Sequence, residues 1–147
     1  WKTVRQLGYE VSPIGRKRRL PDIRSSDEGV QASAEREAIN SPVQGFGSDY
    51  VLAAFIEVFQ IIMKEDPDFE TIRPVGTVHD AQYYEIRNDK IDYWANIIKT
   101  VFDDPSRLKA WFNYTPPLPI TGDMKLGNHW GDAKDWDLGK PYPHMPR

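Results

Sequence analysis

Cysteine is absent from all 147 residues, which excludes a disulfide framework, a thiolate nucleophile and a zinc–thiolate site, and accords with a reducing compartment. No apolar run is expected to approach the roughly 18 residues a membrane span needs. No charged-then-apolar leader precedes the first polar segment. A soluble, unsecreted chain without a membrane partner is expected. An overall excess of cations is also missing: the net charge of -3 argues weakly against a polyanionic partner. The average hides an asymmetry, however. Residues 1–24 carry Lys2, Arg5, Arg16, Lys17, Arg18, Arg19 and Arg24 against Glu10 and Asp22, a net +5, and the rest of the chain is therefore -8. A polyanion would be met by one end.

The length suits one domain or one piece of a larger one, and a first residue of Trp1 makes a piece of a longer product the expectation. Residues 1–8 read as the last turns of a helix stopping at Gly8, followed by extended residues 9–11 and a turn at Ser12-Pro13 with Gly15. The basic run, Leu20-Pro21-Asp22 and residues 25–29 read as loop. Residues 30–40 have helical composition, rich in Ala, Glu and Arg. Ser41-Pro42 is expected to break this helix and, with Ser41 as cap and Pro42 as first residue, to start a second. That second helix carries an apolar stripe at Val51, Leu52, Phe55, Val58, Phe59 and Ile62 and ends at Glu65-Asp66-Pro67.

Residues 75–79 and 82–86 are rich in β-formers, so two strands joined by a tight turn at Asp80-Ala81 are expected. Residues 89–102 return to helix, with Ile91, Trp94, Ile97, Ile98 and Val101 on one face. A strand at 120–126 and an irregular tail follow. The element order is α, α, β-β, α, β, an α+β chain. Trp94, Phe102 and Trp111 fit core positions better than base-stacking platforms.

Three features can carry chemistry. Arg36, Asn40 and Gln44 recur every four residues and would share one face of a continuous helix, a face that Pro42 is expected to bend between the second and third. All three donate hydrogen bonds, as a probe of minor-groove acceptors must, although polar stripes are more commonly solvated faces. His79-Asp80 lies at the hairpin tip, where a carboxylate projects freely and can ligate a divalent cation. A lone turn aspartate is more commonly a turn former, and a lone histidine a satisfied, partly buried one. Arg16-Lys17-Arg18-Arg19 after Gly15 can neutralise phosphates, or be a solvated turn.

Taken in order, Gly15-Arg16-Lys17-Arg18, Leu20-Pro21-Asp22, Ala34-Glu35-Arg36, Asn40, Pro42, Gln44-Gly45, Asp49 and Val78-His79-Asp80 resemble the C-terminal part of family A (polymerase I-like) DNA polymerases. The likeness extends to Gly127-Asn128-His129-Trp130-Gly131. It implies part of a polymerase palm, an antiparallel β-hairpin with packed helices, divided as follows: residues 1–24, the end of the fingers region and a basic loop; 25–131, the C-terminal palm portion; 132–147, an irregular tail. By the same resemblance Asp80, beside His79 in the catalytic pair, holds catalytic Mg2+, two ions in all. Arg36, Asn40 and Gln44 touch the primer-template minor groove, and Arg16, Lys17 and Arg18 lie near the nucleic-acid backbone.

The implied reaction is two-metal nucleotidyl transfer from a dNTP to a primer end. It needs a second carboxylate, which the family carries on an Asp-x-Ser-x-x-Glu strand, and a nucleotide-gripping helix. Neither pattern occurs in this sequence, so an upstream polymerase fragment is expected to supply both. The expected setting is the cytoplasm of a bacterium or phage-infected host. Two positions depart from the family pattern: Ala81 follows Asp80 where many members have Glu, and Arg19 stands where an aromatic residue is common. The competing expectation is a non-catalytic nucleic-acid-binding module or a structural subunit of a replication complex.

Overall fold

A computed structural model describes residues 2–143; Trp1 of the expected opening helix and residues 144–147 of the expected tail lie outside them. The chain divides into two compact units, Trp1–Ala53 with Ser106–Thr115, and Ala54–Pro105 with Pro116–Arg147. Three two-stranded antiparallel sheets and a set of helices make it α+β.

In the first unit, helix α1 (Lys2–Leu7) stops at Gly8, whose N–H bonds the Val4 carbonyl at 2.7 Å. Its last carbonyls, which lack helical donors, accept from Arg24: Nε donates to the Arg5 carbonyl at 3.0 Å and a terminal nitrogen donates to that of Gln6. Strand β1 (Tyr9–Val11) then pairs antiparallel with β2 (Lys17–Arg19), in the register Tyr9↔Arg19, Glu10↔Arg18 and Val11↔Lys17. Lys17, Arg18 and Arg19 of the basic run therefore form a strand, not the expected loop, and Arg16 precedes it. The turn before it closes through Ser12 N–H to Arg16 carbonyl at 2.9 Å and Gly15 N–H to Ser12 carbonyl at 2.9 Å. Gly15, at φ 92°, occupies the conformation a side chain disfavours. A 3-10 turn at Pro21–Arg24 buries Ile23, where loop was expected.

The largest difference from expectation is α2, one helix running from Glu28 to Glu65 with Pro42 inside it. Asp27 caps its start, its Oδ1 accepting from the N–H groups of Gly29 at 2.8 Å and Val30 at 3.0 Å. Ser41 does not act as a cap. Its buried hydroxyl donates to Glu10 Oε1 at 2.7 Å. An interior proline costs roughly 3 kcal/mol, and burial on both sides of it offsets that cost. Ala34 and Ala38 pack with Leu20 and Ile23 before the proline, and Tyr50, Val51 and Ala53 are buried after it. The first unit is completed by a later helix, α4 (Ser106–Phe112), which burial of Leu108 explains and which the proline-rich surroundings concealed. The Arg107 guanidinium lies 5.3 Å from the Tyr50 ring centroid, while Trp111 is 44% exposed and not a core residue.

In the second unit, Val58, Ile62, Ile72 and Trp94 form a core flanked by Tyr84, Ile86, Ile97, Ile98 and Val101. Leu52 and Phe59, expected in the stripe of α2, are exposed with Ile56 and Met63. Val51, Val58 and Ile62 of the expected stripe are buried, and Ala54 joins them in place of Leu52 and Phe59. By length and composition a stretch of α2 with mean hydropathy 1.5 is long and apolar enough to cross a membrane. Of that stretch 33% is buried, while Leu52, Ile56, Phe59 and Met63 are exposed, so core packing accounts for only part of its apolar character and the expectation that no run reaches this length does not hold. Strands β3 (Ile72–Val78) and β4 (Ala81–Ile86) form a hairpin. A 3-10 turn (Asn88–Lys90) leads into α3 (Ile91–Asp103), and Trp94 Nε1 donates to Thr71 Oγ1 at 2.9 Å.

The expected strand at 120–126 shrinks to β5 (Lys125–Leu126), paired with β6 (Lys134–Asp135) inside the supposedly irregular tail. A second core cluster, Ile91, Ala95 and Trp136 with Met124, Leu126 and Leu138, holds this pair to α3. Gly127 permits it, because a Cβ there would sit 2.7 Å from Ala133 Cα.

Ser41→Ala leaves Glu10 Oε1 buried without its donor and should lower unfolding free energy by about 1–3 kcal/mol in urea titration. Asp66 joins α2 to β3: partial burial pushes its carboxyl up, but the Thr71 hydroxyl and the N–H groups of Thr71, Glu70 and Ile72 donate to it and bring it down to about 2. A depressed carboxyl stabilises the fold fully above the unfolded value of about 3.9. That contribution should fade as pH falls from about 4 towards 2, and acid unfolding of Asp66→Asn should lack this component.

Candidate nucleic-acid interface and carboxylate turn

Because α2 is uninterrupted at Pro42, Arg36, Asn40 and Gln44 lie on one continuous face. All three are exposed. They make no hydrogen bond or ion pair among the described residues, so their donors are available. From Arg36 to Gln44 the helix rises about 12 Å, the length of three to four base steps of about 3.4 Å.

The basic run behaves differently. Arg16 forms a two-pronged pair with Asp49 of α2, Nε to Oδ2 at 2.8 Å and a terminal nitrogen to Oδ1. The Asp49 hydrogen bonds and charge raise the Arg16 pKa above its ordinary value. Arg18 pairs with Glu37 and Arg5 with Glu35 at 3.9 Å. Lys17 places its ammonium 3.5 Å from the centroid of the Tyr9 ring. Of the run expected near a phosphate backbone, two members are thus engaged within the first unit. Periodicity could not have found these partners, since Arg16 and Asp49 are 33 residues apart.

His79 and Asp80 are the two residues between β3 and β4, with Val78 and Ala81 the closing pair. The turn is thus one residue earlier than expected. Both side chains are exposed, His79 included, so the partly buried histidine reading does not hold. His79 sits at φ 55° and Asp80 does not have positive φ. This is the sign pattern of a type II′ turn, whose first central residue is ordinarily glycine. A histidine there is strained by roughly 1–2 kcal/mol. A bulge between Pro74 and Gly76 shifts the β3 register. One face of β4 is anchored by Tyr84 in the core, its hydroxyl donating to Gln82 Oε1 at 2.8 Å. Burial pushes the Tyr84 phenol pKa up. On the other face Tyr83 stacks on Trp130, with ring centroids 3.8 Å apart and planes 12° from parallel. That pairing leaves the glycine-flanked Trp130 63% exposed and was not anticipated from the sequence.

The family model of DNA polymerase family A matches residues 1–132. The chain belongs to DNA polymerase family A. Similar proteins include the DNA polymerase of Bacillus phage SP01, 30% identical over 132 residues, which are 90% of this chain and 14% of that protein. DNA polymerase I of Geobacillus stearothermophilus is 29% identical over 131 residues, 89% of this chain and 14% of that protein. The chain therefore spans about a seventh of the length of these curated relatives. Among solved structures, the polymerase domain of Pol1 from M. smegmatis, in complex with DNA primer-template and dNTP, aligns at a TM-score of 0.65 and 28% identity, covering 80% of this chain and 19% of that one.

For a family A polymerase, magnesium is the implied metal, and the described residues do not make a site for it unaided. Among them no three His, Cys, Asp or Glu side chains converge. Mg2+ takes about six oxygens in an octahedron, and Asp80 offers at most two.

The strained turn gives a prediction. His79→Gly should relieve the positive φ and raise stability by about 1 kcal/mol in thermal or urea unfolding, with the hairpin and Asp80 retained.

Proposed function

We propose that this family A polymerase chain contributes to DNA-directed nucleotidyl transfer, in which a primer 3′ end gains nucleoside monophosphate units from dNTPs with release of pyrophosphate, as part of a larger enzyme. The observation that carries the reading is Asp80: an exposed carboxylate, without a hydrogen-bonding partner among the described residues, at a two-residue tip held in strain. Strain of this kind persists where the surrounding structure over-determines it, and it concentrates at functional sites. In this reading Asp80 ligates Mg2+ together with at least one carboxylate outside these 147 residues, and His79 supports it at the tip. The upstream polymerase fragment would bring that carboxylate and the nucleotide-binding helix.

Arg36, Asn40 and Gln44 contact the primer-template minor groove, where acceptors common to every base pair test pairing geometry without reading sequence. The hairpin carrying Arg16, Lys17 and Arg18 lies along the phosphate backbone. Residues 1–24 are the end of the fingers region with the basic hairpin, residues 25–131 form the C-terminal palm portion, and the tail from residue 132 lies beyond it. The setting is the bacterial or phage-infected cytoplasm. Ala81 beside Asp80 removes one acid that many members carry, so the remaining metal charge balance falls more heavily on Asp80.

A second reading, favoured by the lone carboxylate, is a non-catalytic nucleic-acid-binding module or a structural subunit of a replication complex. A chimera separates the two: this chain replaces the matching segment of the Geobacillus polymerase, and primer extension is compared with that of its Asp80→Ala variant. The catalytic reading expects extension to fall by about 10³-fold, equivalent to roughly 4 kcal/mol, with primer-template affinity unchanged. Full extension by Asp80→Ala would reject it in favour of the binding-only reading.

A further inference from the structure

Resting on the reading of Asp80 as the metal-binding carboxylate, we infer that Trp130 is a positioning residue, which holds the His79-Asp80 turn in place by stacking on Tyr83 of β4. The β3–β4 hairpin is a two-stranded sheet, paired to no third strand among the described residues, and such a sheet is marginal unless its faces are packed. One face is packed: Ile72 lies in the core, and Tyr84 and Ile86 pack against it. On the other face the cross-strand pairs are Val78 with Ala81, Gly76 with Tyr83 and Arg73 with Glu85. Cross-strand side-chain pairs stabilise a sheet, yet Tyr83 has a glycine opposite it, beside the bulge that interrupts the ladder between Pro74 and Gly76. Trp130 supplies the missing neighbour from outside the hairpin, its ring within 12° of parallel to that of Tyr83 and 3.8 Å away, centroid to centroid.

Trp130 is anchored independently of the hairpin it touches. It opens a 3-10 turn (Trp130–Asp132) in the loop between β5 and β6. That turn closes on itself, the Asp132 N–H donating to the His129 carbonyl at 3.1 Å and the His129 N–H donating to Asp132 Oδ1 at 2.8 Å. The β5–β6 pair at the base of the loop is held to α3 through Leu126 and Trp136, which pack with Ile91 and Ala95. The same helix carries Trp94 into the core with Ile72 and Tyr84. Strand β4 is therefore held by the α3 core on one face and by a ring braced through α3 on the other. Tyr83 lies three residues from Asp80, about 10 Å along the strand, so fixing Tyr83 limits the motion of the tip. A reacting-site side chain must be held to within about 0.5 Å, and a displacement of about 1 Å is enough to slow chemistry. Burial does not account for Trp130, whose side chain is 63% exposed; its contribution is the face it lays on Tyr83.

Amide hydrogen exchange followed by NMR on the 147-residue chain tests the hold on the turn. Residues 76–83 should exchange about ten-fold faster in Trp130→Ala, and equally in Tyr83→Leu, with the amides of α3 unchanged and Trp130→Phe close to wild type. The Geobacillus polymerase chimera tests the consequence for chemistry. There Trp130→Ala should lower kcat about ten-fold with KM for dNTP and primer-template affinity unchanged, and Trp130→Phe should recover most of the rate. Added to Asp80→Ala, it should cost nothing further, as expected of a residue that acts through that carboxylate. Wild-type exchange at the tip in Trp130→Ala, or equal loss of protection in α3, would overturn the inference. So would an additive loss on top of Asp80→Ala, or a raised KM or weakened primer-template binding at unchanged kcat, the mark of a direct nucleic-acid contact. Full extension by Asp80→Ala alone would instead defeat the catalytic reading, while the exchange measurement would still decide whether Trp130 holds the turn.

Discussion

The hydrogen bond from Ser41 to the buried Glu10 carboxylate holds the middle of the long helix to the first strand at the point where that helix is weakest. Pro42 removes the N–H that would bond the Ala38 carbonyl, and a proline there ordinarily ends a helix. The chain continues because Ala34 and Ala38 before it, and Tyr50, Val51 and Ala53 after it, are buried. The charge-assisted bond at Ser41 adds a polar anchor beside the missing backbone one. The single face that carries Arg36, Asn40 and Gln44 exists only because the helix is continuous; a break at Pro42 would turn Gln44 away from the other two.

Electrostatics in the first unit follow the same pattern of local cost met by tertiary contact. Seven basic residues in the first 24 would repel one another in an extended loop. In the folded unit, Arg5, Arg16 and Arg18 each face an acid of α2, and Arg24 closes the end of α1. These exposed pairs each contribute little individually. Their structural consequence is orientation: they fix which side of the hairpin faces α2 and therefore which cations remain outward.

The second unit supports the exposed carboxylate of the β3–β4 turn differently. Core packing of Tyr84 and Ile86, the stacking of Tyr83 on Trp130 and a bulge at Pro74–Gly76 shape the hairpin, and the tip carries a histidine in a conformation that favours glycine. The helix after it was legible from the spacing of Ile91, Trp94, Ile97, Ile98 and Val101, and most of those residues pack as that spacing implies. The strands were legible from their β-branched and aromatic content. Their exact register was not, because a bulge shifts a strand by one residue without leaving a periodic trace.

From composition, periodicity and the ordered motifs alone, the α+β class, the hairpin bearing Asp80, the four-residue spacing of Arg36, Asn40 and Gln44, and the family to which the chain belongs could all be read. These are local or additive properties: they depend on nearest neighbours along the chain or on which side chains recur at a fixed spacing. Only the tertiary structure decided that Pro42 lies inside one helix, that Lys17, Arg18 and Arg19 of the basic run form a strand, that Arg16 and Arg18 are tied to α2, that Leu52 and Phe59 are exposed, and that the tail supplies a strand. Each of those outcomes depends on partners far apart in sequence, such as Glu10 with Ser41 or Arg16 with Asp49. Burial and pairing between such partners override local propensity when their combined free energy exceeds the cost of one unfavourable residue.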